Sequence, residues 1–158
     1  MHIRRIKSLL SLFIICFTLS QTHGFCGKDD SYKAIDQIAI TVPDSMEASV
    51  SSLSGFFLEK VSGNRNLLRA FYVWCASEIS YDTESMYNPK PMENRGKLIL
   101  ETLETRKAVC QGYAEVFHEL CNLAGIENYL IQGYTRQNGT IMPLSHTWVL
   151  VRPDTSWF

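Results

Sequence analysis

From Val50 onward, apolar positions recur first with a helical period and later with the alternation of strands. Val50, Leu53, Phe56, Phe57 and Val61 are spaced by threes and fours, the pattern of one buried stripe on a helix that Pro43, Asp44 and Ser45 open and Gly63 closes. Leu67, Leu68, Phe71, Trp74, Cys75 and Ile79 keep the same rhythm from about Asn64 to Ser80, which predicts a second helix whose aromatic and thiol positions belong to the core. A short helix from about Leu98 to Glu104 leads to Cys110. There Cys110, Ala114, Phe117, Cys121 and Ala124 line one face of a central helix stopped by Gly125. Beyond it, Glu127 to Tyr134 and Thr147 to Val151 are rich in strand formers and flank a polar loop containing Asn138 and Gly139, as expected of antiparallel strands. Arg152 to Thr155 form a turn with Pro153 at its second position, and Trp157 and Phe158 begin another strand.

The remaining segments carry weaker patterns. Ala34 to Val42 alternates weakly in the manner of a strand before Pro43 stops it, and Tyr81 to Lys97 reads as a long loop with two prolines, a glycine and mixed charges. At the N-terminus, His2, Arg4, Arg5 and Lys7 precede an apolar run from Leu9 to Leu19, too short to span a bilayer, with small residues at Thr22 and Gly24. Residues 1–24 are therefore expected to be a cleaved secretory signal, the alternative being an uncleaved N-terminal anchor. The expected organisation is a signal peptide over 1–24, an N-terminal extension with one helix over 25–62, and the principal domain over 63–158.

Composition adds bounds. The chain has 158 residues, 46% hydrophobic and 20% charged, which is globular and sized for one domain. Removal of the signal takes Arg4, Arg5 and Lys7 and no acidic group from fifteen basic and sixteen acidic residues, leaving twelve against sixteen, a net of −4. That balance argues against a nucleic-acid partner. Export would bring the thiols into an oxidising compartment. Cys16 leaves with the signal, a bridge between Cys26 and Cys75 stays open, and Cys121, three helical turns after Cys110, reads as core.

Cys110 differs from the other thiols because it begins a helix. A helix N-terminus and an adjacent histidine are the two common means of activating a thiol, and the same N–H groups can hold an oxyanion. Two histidines follow the signal, His118 and His146, apart from His23 at its end. His118 lies roughly 12 Å along the helix from Cys110 and about 80° around it, out of reach. His146 shares a strand face with Trp148 and Leu150, and a strand packed at the helix start could bring it near. Against this stand the blander readings: a helix-start cysteine is more often structural, and a histidine on an apolar strand is more often satisfied core. A zinc site using His118 and Cys121 matches no familiar spacing.

The segment Ala108-Val109-Cys110-Gln111-Gly112-Tyr113-Ala114, continuing through Phe117, Leu120, Cys121 and Gly125-Ile126 to Gly133-Tyr134, resembles the nucleophile helix and following strand of the transglutaminase-like superfamily. The branch resembled includes the kyphoscoliosis peptidase and related exported bacterial proteins. His146-Thr147-Trp148 is similar to its His-Ala-Trp signature, and Trp74-Cys75-Ala76 with Ile79, Tyr81 and Asp82 to its Trp-Ile-Ala helix and Tyr-Asp pair. The resemblance covers roughly residues 36–158. It implies an α+β, papain-like fold in which the cysteine helix packs on an antiparallel sheet.

By the same resemblance, Cys110 and His146 are catalytic, Gln111 and Trp148 line the site, and the third triad member, an aspartate, is expected beyond Phe158, where the domain's strands continue. Asp154 falls in the turn and is not promoted to that role. The activity implied is thiol-dependent acyl or amide hydrolysis or transfer through a thioester, on a protein or peptide, without cofactor or metal. The expected setting is the cell envelope or the exterior, with no membrane span after signal removal. The alternative is a non-catalytic binding or scaffolding module on the same fold.

Overall fold

The computed structural model describes residues 30–88 and 94–158. The expected signal and Cys26 lie outside the described residues. Among these, no helix is long and apolar enough to cross a membrane.

Residues Ala34 to Val42, whose weak alternation predicted a strand, instead enter a helix. A 3-10 turn at Asp30–Tyr32 runs into α1, Lys33–Ala39. Ile35, Ile38, Ala39 and Val42 all pack on the core, and their spacing of three, one and three is that of a helical stripe, which outweighs the alternation. Asp36 makes a two-pronged contact with Arg69, both prongs 2.7 Å, joining α1 to α3. Pro43 precedes only a 3-10 turn, Asp44–Met46. Helix α2, Val50–Lys60, starts later, where the Ser49 hydroxyl accepts the Ser52 N–H at 3.1 Å. Among the described residues of this stretch, 30–62, there are two α-helices, α1 and α2, where the sequence led to an expectation of one, and both reach the common core.

Helix α3, Asn64–Glu78, follows the expected stripe, with Leu67, Ala70, Phe71, Trp74 and Cys75 buried. The stretch after it is not a simple loop. Ser80–Tyr81 forms strand β1, Thr83–Tyr87 forms helix α4 capped by Asp82, and α5 spans Arg95–Thr105 behind an Asn94 cap. Arg106 ends α5 in the left-handed conformation, φ 54°, and Lys107–Ala108 forms strand β2, paired in parallel with β1. Two-residue strands of mixed polarity carry too little alternation to be read from sequence.

Helix α6, Cys110–Leu123, is the centre of the molecule, touching α2, α3, α5 and both strands of the sheet that follows. Val116, Leu120 and Cys121 are fully buried, beside Phe57, Phe71 and Trp74, and each such large apolar side chain contributes about 1.5–3 kcal/mol by leaving water. Gly125, at φ 68°, turns the chain into strand β3, Glu127–Gln137, which pairs antiparallel with β4, Thr140–Arg152.

The polar loop expected between two short strands is therefore one long hairpin. Asn138 and Gly139, both with positive φ, make the two-residue turn such hairpins favour. Pairing shifts register between Tyr134 and Arg136, opposite the segment that holds Pro143; a proline breaks the ladder locally, so the strand looked finished in sequence. Phe158 and Val151 exchange both backbone hydrogen bonds at 2.9 Å, so the chain turns back along β4 as Trp157 and Phe158 predicted.

Candidate functional site

Three features of the chain meet at the start of α6. First, β2 delivers the backbone to Val109, whose extended conformation makes it the N-cap, yet no side chain caps the helix there. Cys110 is the first helical residue and half-buried, with half-buried Gln111 next. Its thiol thus stands at the positive end of a 14-residue helix. Second, Gly112 lets α6 approach α5 closely: a Cβ there would lie 2.6 Å from the Ala108 Cβ and 2.8 Å from the Thr102 hydroxyl. Third, the β1–β2 bridge sets Tyr81 opposite Ala108. The Tyr81 ring stacks on Tyr113 with centroids 6.3 Å apart. Tyr113 in turn donates its hydroxyl to the Ile79 carbonyl.

Burial separates the thiols. It pushes Cys75 and Cys121 up to about 12 each, Cys75 also feeling the neighbouring Cys121, so both stay protonated and inert at neutral pH. Cys110 is the more accessible of the three described thiols. Asp82 is engaged elsewhere: hydrogen bonds from Ser85 hold its carboxyl below the usual range while it caps α4. Asp154 is similarly held by Ser156 and Arg65 in the turn after β4.

The position of His146 follows from register. Asn128 on β3 bonds to His118 and, at 2.9 Å, to Asn122, both on α6. Stepping back along α6 from His118 to Cys110 covers roughly 12 Å, which a strand covers in between three and four residues at about 3.3 Å each. From Asn128 this reaches Gln132, paired with Thr147, next to Gly133, paired with His146. By this count of rises, the His146 row falls about level with the start of α6.

Alternation then decides the face. Asn128, Thr147 and Val151 are buried and Val149 packs on the core, so His146, Trp148 and Leu150 occupy the opposite face. There the imidazole stacks with Trp148, centroids 6.0 Å apart at 27°. Gly133 leaves room for that indole, since a Cβ would meet the Trp148 ring at 3.1 Å. Among the described residues no hydrogen bond joins His146 to the Cys110 thiol. His118, tied to Asn128, belongs to the α6–β3 joint.

Tyr81, Tyr113 and Gly112 had no assigned part in the sequence reading. The Tyr-Asp pair was visible as a motif, but only the parallel bridge places it against the cysteine.

An accessible thiol opening a central helix, with an antiparallel hairpin packed along that helix, defines an α+β, papain-like core. The sequence profile of the transglutaminase-like superfamily matches residues 51–158, and the chain belongs to that superfamily. Over 124 residues it is 26% identical to the kyphoscoliosis peptidase of Mus musculus and 25% identical to that of Homo sapiens, matches that cover 75% of this chain. They cover only 18% of each relative, so the chain spans about a fifth of those proteins. A solved structure described as a crystal structure of a TGase superposes with a TM-score of 0.50 at 18% identity, covering 86% of this chain and 33% of that one, a likeness of fold.

Proposed function

We propose that this domain performs thiol-dependent acyl transfer or hydrolysis on peptide or glutamine carboxamide groups of an extracytoplasmic protein substrate, with Cys110 as nucleophile and His146 as its base. The observation that carries the reading is the half-buried Cys110 thiol at the first position of a long helix whose N-terminus has no side-chain cap, in a chain of the transglutaminase-like superfamily. The thiolate sulfur attacks the carbonyl carbon; the carbonyl electron pair moves to oxygen, then returns as the C–N bond breaks and His146 gives the leaving amine its proton. The thioester is resolved by water or by an amine. Trp148 and Gln111 line the approach.

The turned-away face of His146 favours a second reading, a non-catalytic module. Alkylation by iodoacetamide separates the two. In the catalytic reading, Cys110 is labelled at pH 6 faster than a free peptide thiol, Cys75 and Cys121 stay unlabelled in the native state, and His146→Ala slows the labelling of Cys110 by about tenfold or more. Labelling at pH 6 no faster than the free thiol, or indifferent to His146→Ala, supports the module.

A further inference from the structure

Among the described residues no hydrogen bond or ion pair fixes the His146 imidazole, and the ring it meets is that of Trp148, centroids 6.0 Å apart and planes 27° from parallel. Trp148 is 39% exposed and faces away from the core, so packing of the interior does not account for it. The indole has a seat on the neighbouring strand. Register pairs Trp148 with Ile131 and His146 with Gly133, yet the indole leans diagonally onto the His146 row: a Cβ at Gly133 would lie 3.1 Å from its Cη2 and 3.7 Å from its Cζ3. Among the described residues the positive-φ glycines are Gly63, Gly125 and Gly139, so the backbone at Gly133 would accept other residues, and a glycine inside a strand weakens it. What requires the missing side chain is the indole. Opposite His146, where a cross-strand side chain would otherwise stand, lies the edge of Trp148.

We infer that Trp148, seated on Gly133, is the positioning residue of the His146 imidazole. The inference rests on His146 acting as the base of Cys110, as proposed above. Stacking engages the flat of the imidazole and leaves both nitrogens free at its edge, one to take the thiol proton and the other to be steadied by a hydrogen-bond partner. Aromatic rings favour such offset, near-parallel contact. Opposite a position with no side chain, the imidazole would otherwise swing freely. The indole limits that swing and so reduces the orientations among which a reactive one must be found. It gives and takes no proton itself.

Two measurements on the full chain test this, with circular dichroism checking the fold of each variant. The first is labelling of Cys110 at pH 6 by iodoacetamide, a probe too small to need the indole as a wall. Where His146→Ala slows labelling, Trp148→Ala should slow it by at least about fivefold, and Trp148→Phe, which keeps a ring, by less than about twofold. Gly133→Ala should cost as much as Trp148→Ala, because the new methyl lifts the indole. Combining Gly133→Ala with Trp148→Phe should recover most of that loss, the smaller ring clearing the methyl. A smaller loss in Trp148→Ala overturns the inference, as does labelling faster than wild type, which would mark the indole as keeping the imidazole from the thiol. A loss in Gly133→Ala that the smaller ring does not recover overturns it too, placing the effect in the strand and not in the indole. The second measurement does not depend on the thiol. A protonated imidazole against an indole quenches its fluorescence by accepting charge from the excited ring, so emission should fall on acidification from about pH 8 to about pH 5. The fall should appear in Cys110→Ala as in wild type and disappear in His146→Ala and in Trp148→Phe. His118, tied to Asn128, and the Glu127–Arg152 pair at the far end of this face are unaltered in those controls. Without such a fall the rings do not meet in solution, and the inference is overturned whatever the labelling shows. A fall that is present while labelling ignores His146→Ala sinks the base assignment, and the positioning role with it, while the ring contact stands.

Discussion

At the scale of single residues, the motif around the cysteine is held by packing as much as by chemistry. Gly112 sits where α6 meets Ala108 and the fully buried Thr102, whose hydroxyl bonds back to the Leu98 carbonyl at 2.8 Å. Any side chain there meets atoms that cannot swing aside, one being a methyl next to the β2 backbone. Gly112→Ala is therefore expected to destabilise the fold by about 1–3 kcal/mol, despite the higher helix propensity of alanine. Urea unfolding measures this, and a variant as stable as wild type would mean that α5 can move away at no cost. On β3, Gly133 makes room for Trp148 and so fixes the indole that borders His146.

At the scale of elements, the contacts that matter join helices distant in sequence. The Asp36–Arg69 fork ties α1 to α3, and the Arg69 hydrogen bond holds the Asp36 carboxyl below its ordinary value of 3.8. A carboxyl lowered in the folded state stabilises at pH values above its unfolded pKa, and that contribution disappears as pH falls through the lower folded value. Both side chains are about a third exposed, 34% for Asp36 and 38% for Arg69, so solvent screens most of the attraction. Asp36→Asn should cost only about 0.5–1 kcal/mol at pH 7, and the difference from wild type should vanish in melts well below pH 3.8. A penalty that persists unchanged in acid would assign the effect to packing of α1.

At the scale of the whole molecule, one buried polar knot braces the segment that delivers Cys110. Glu47, at the turn before α2, accepts the Trp74 indole N–H at 2.6 Å and Arg106 at 2.7 Å, and the Arg106 guanidinium also lies over the Trp74 ring at 5.2 Å. Arg106 immediately precedes β2, so α2, α3 and the end of α5 converge on the strand that leads into the site. Glu47→Ala would leave an indole N–H and a largely buried guanidinium without their shared partner, a loss of about 2–3 kcal/mol. The variant should also label Cys110 differently from wild type in the native state, since β2 would loosen. Thermal melting with the iodoacetamide rate reads both, and a destabilised variant with an unaltered rate would uncouple the knot from the site.

What the amino-acid order determined by itself was the set of long amphipathic helices, the cysteine at a helix start, and the resemblance carried by Cys110-Gln111-Gly112-Tyr113 and His146-Thr147-Trp148. These are local quantities: a stripe of period 3.6 over ten or more residues, or a motif of adjacent residues, survives whatever surrounds it. Helix α1 was misread, because the weak alternation of Ala34 to Val42 pointed to a strand while Ile35, Ile38, Ala39 and Val42 form the stripe that packs on the core. Only the tertiary structure decided the two-residue parallel bridge, the pairing that resumes past Pro143, and the face on which His146 lies. Each of these depends on which distant backbone supplies the partner, and a strand's register sets its side-chain face by a single residue's difference. For the same reason the Tyr81-Asp82 pair is only a motif in the sequence, and the bridge to Ala108 is what sets Tyr81 beside the strand that leads into Cys110.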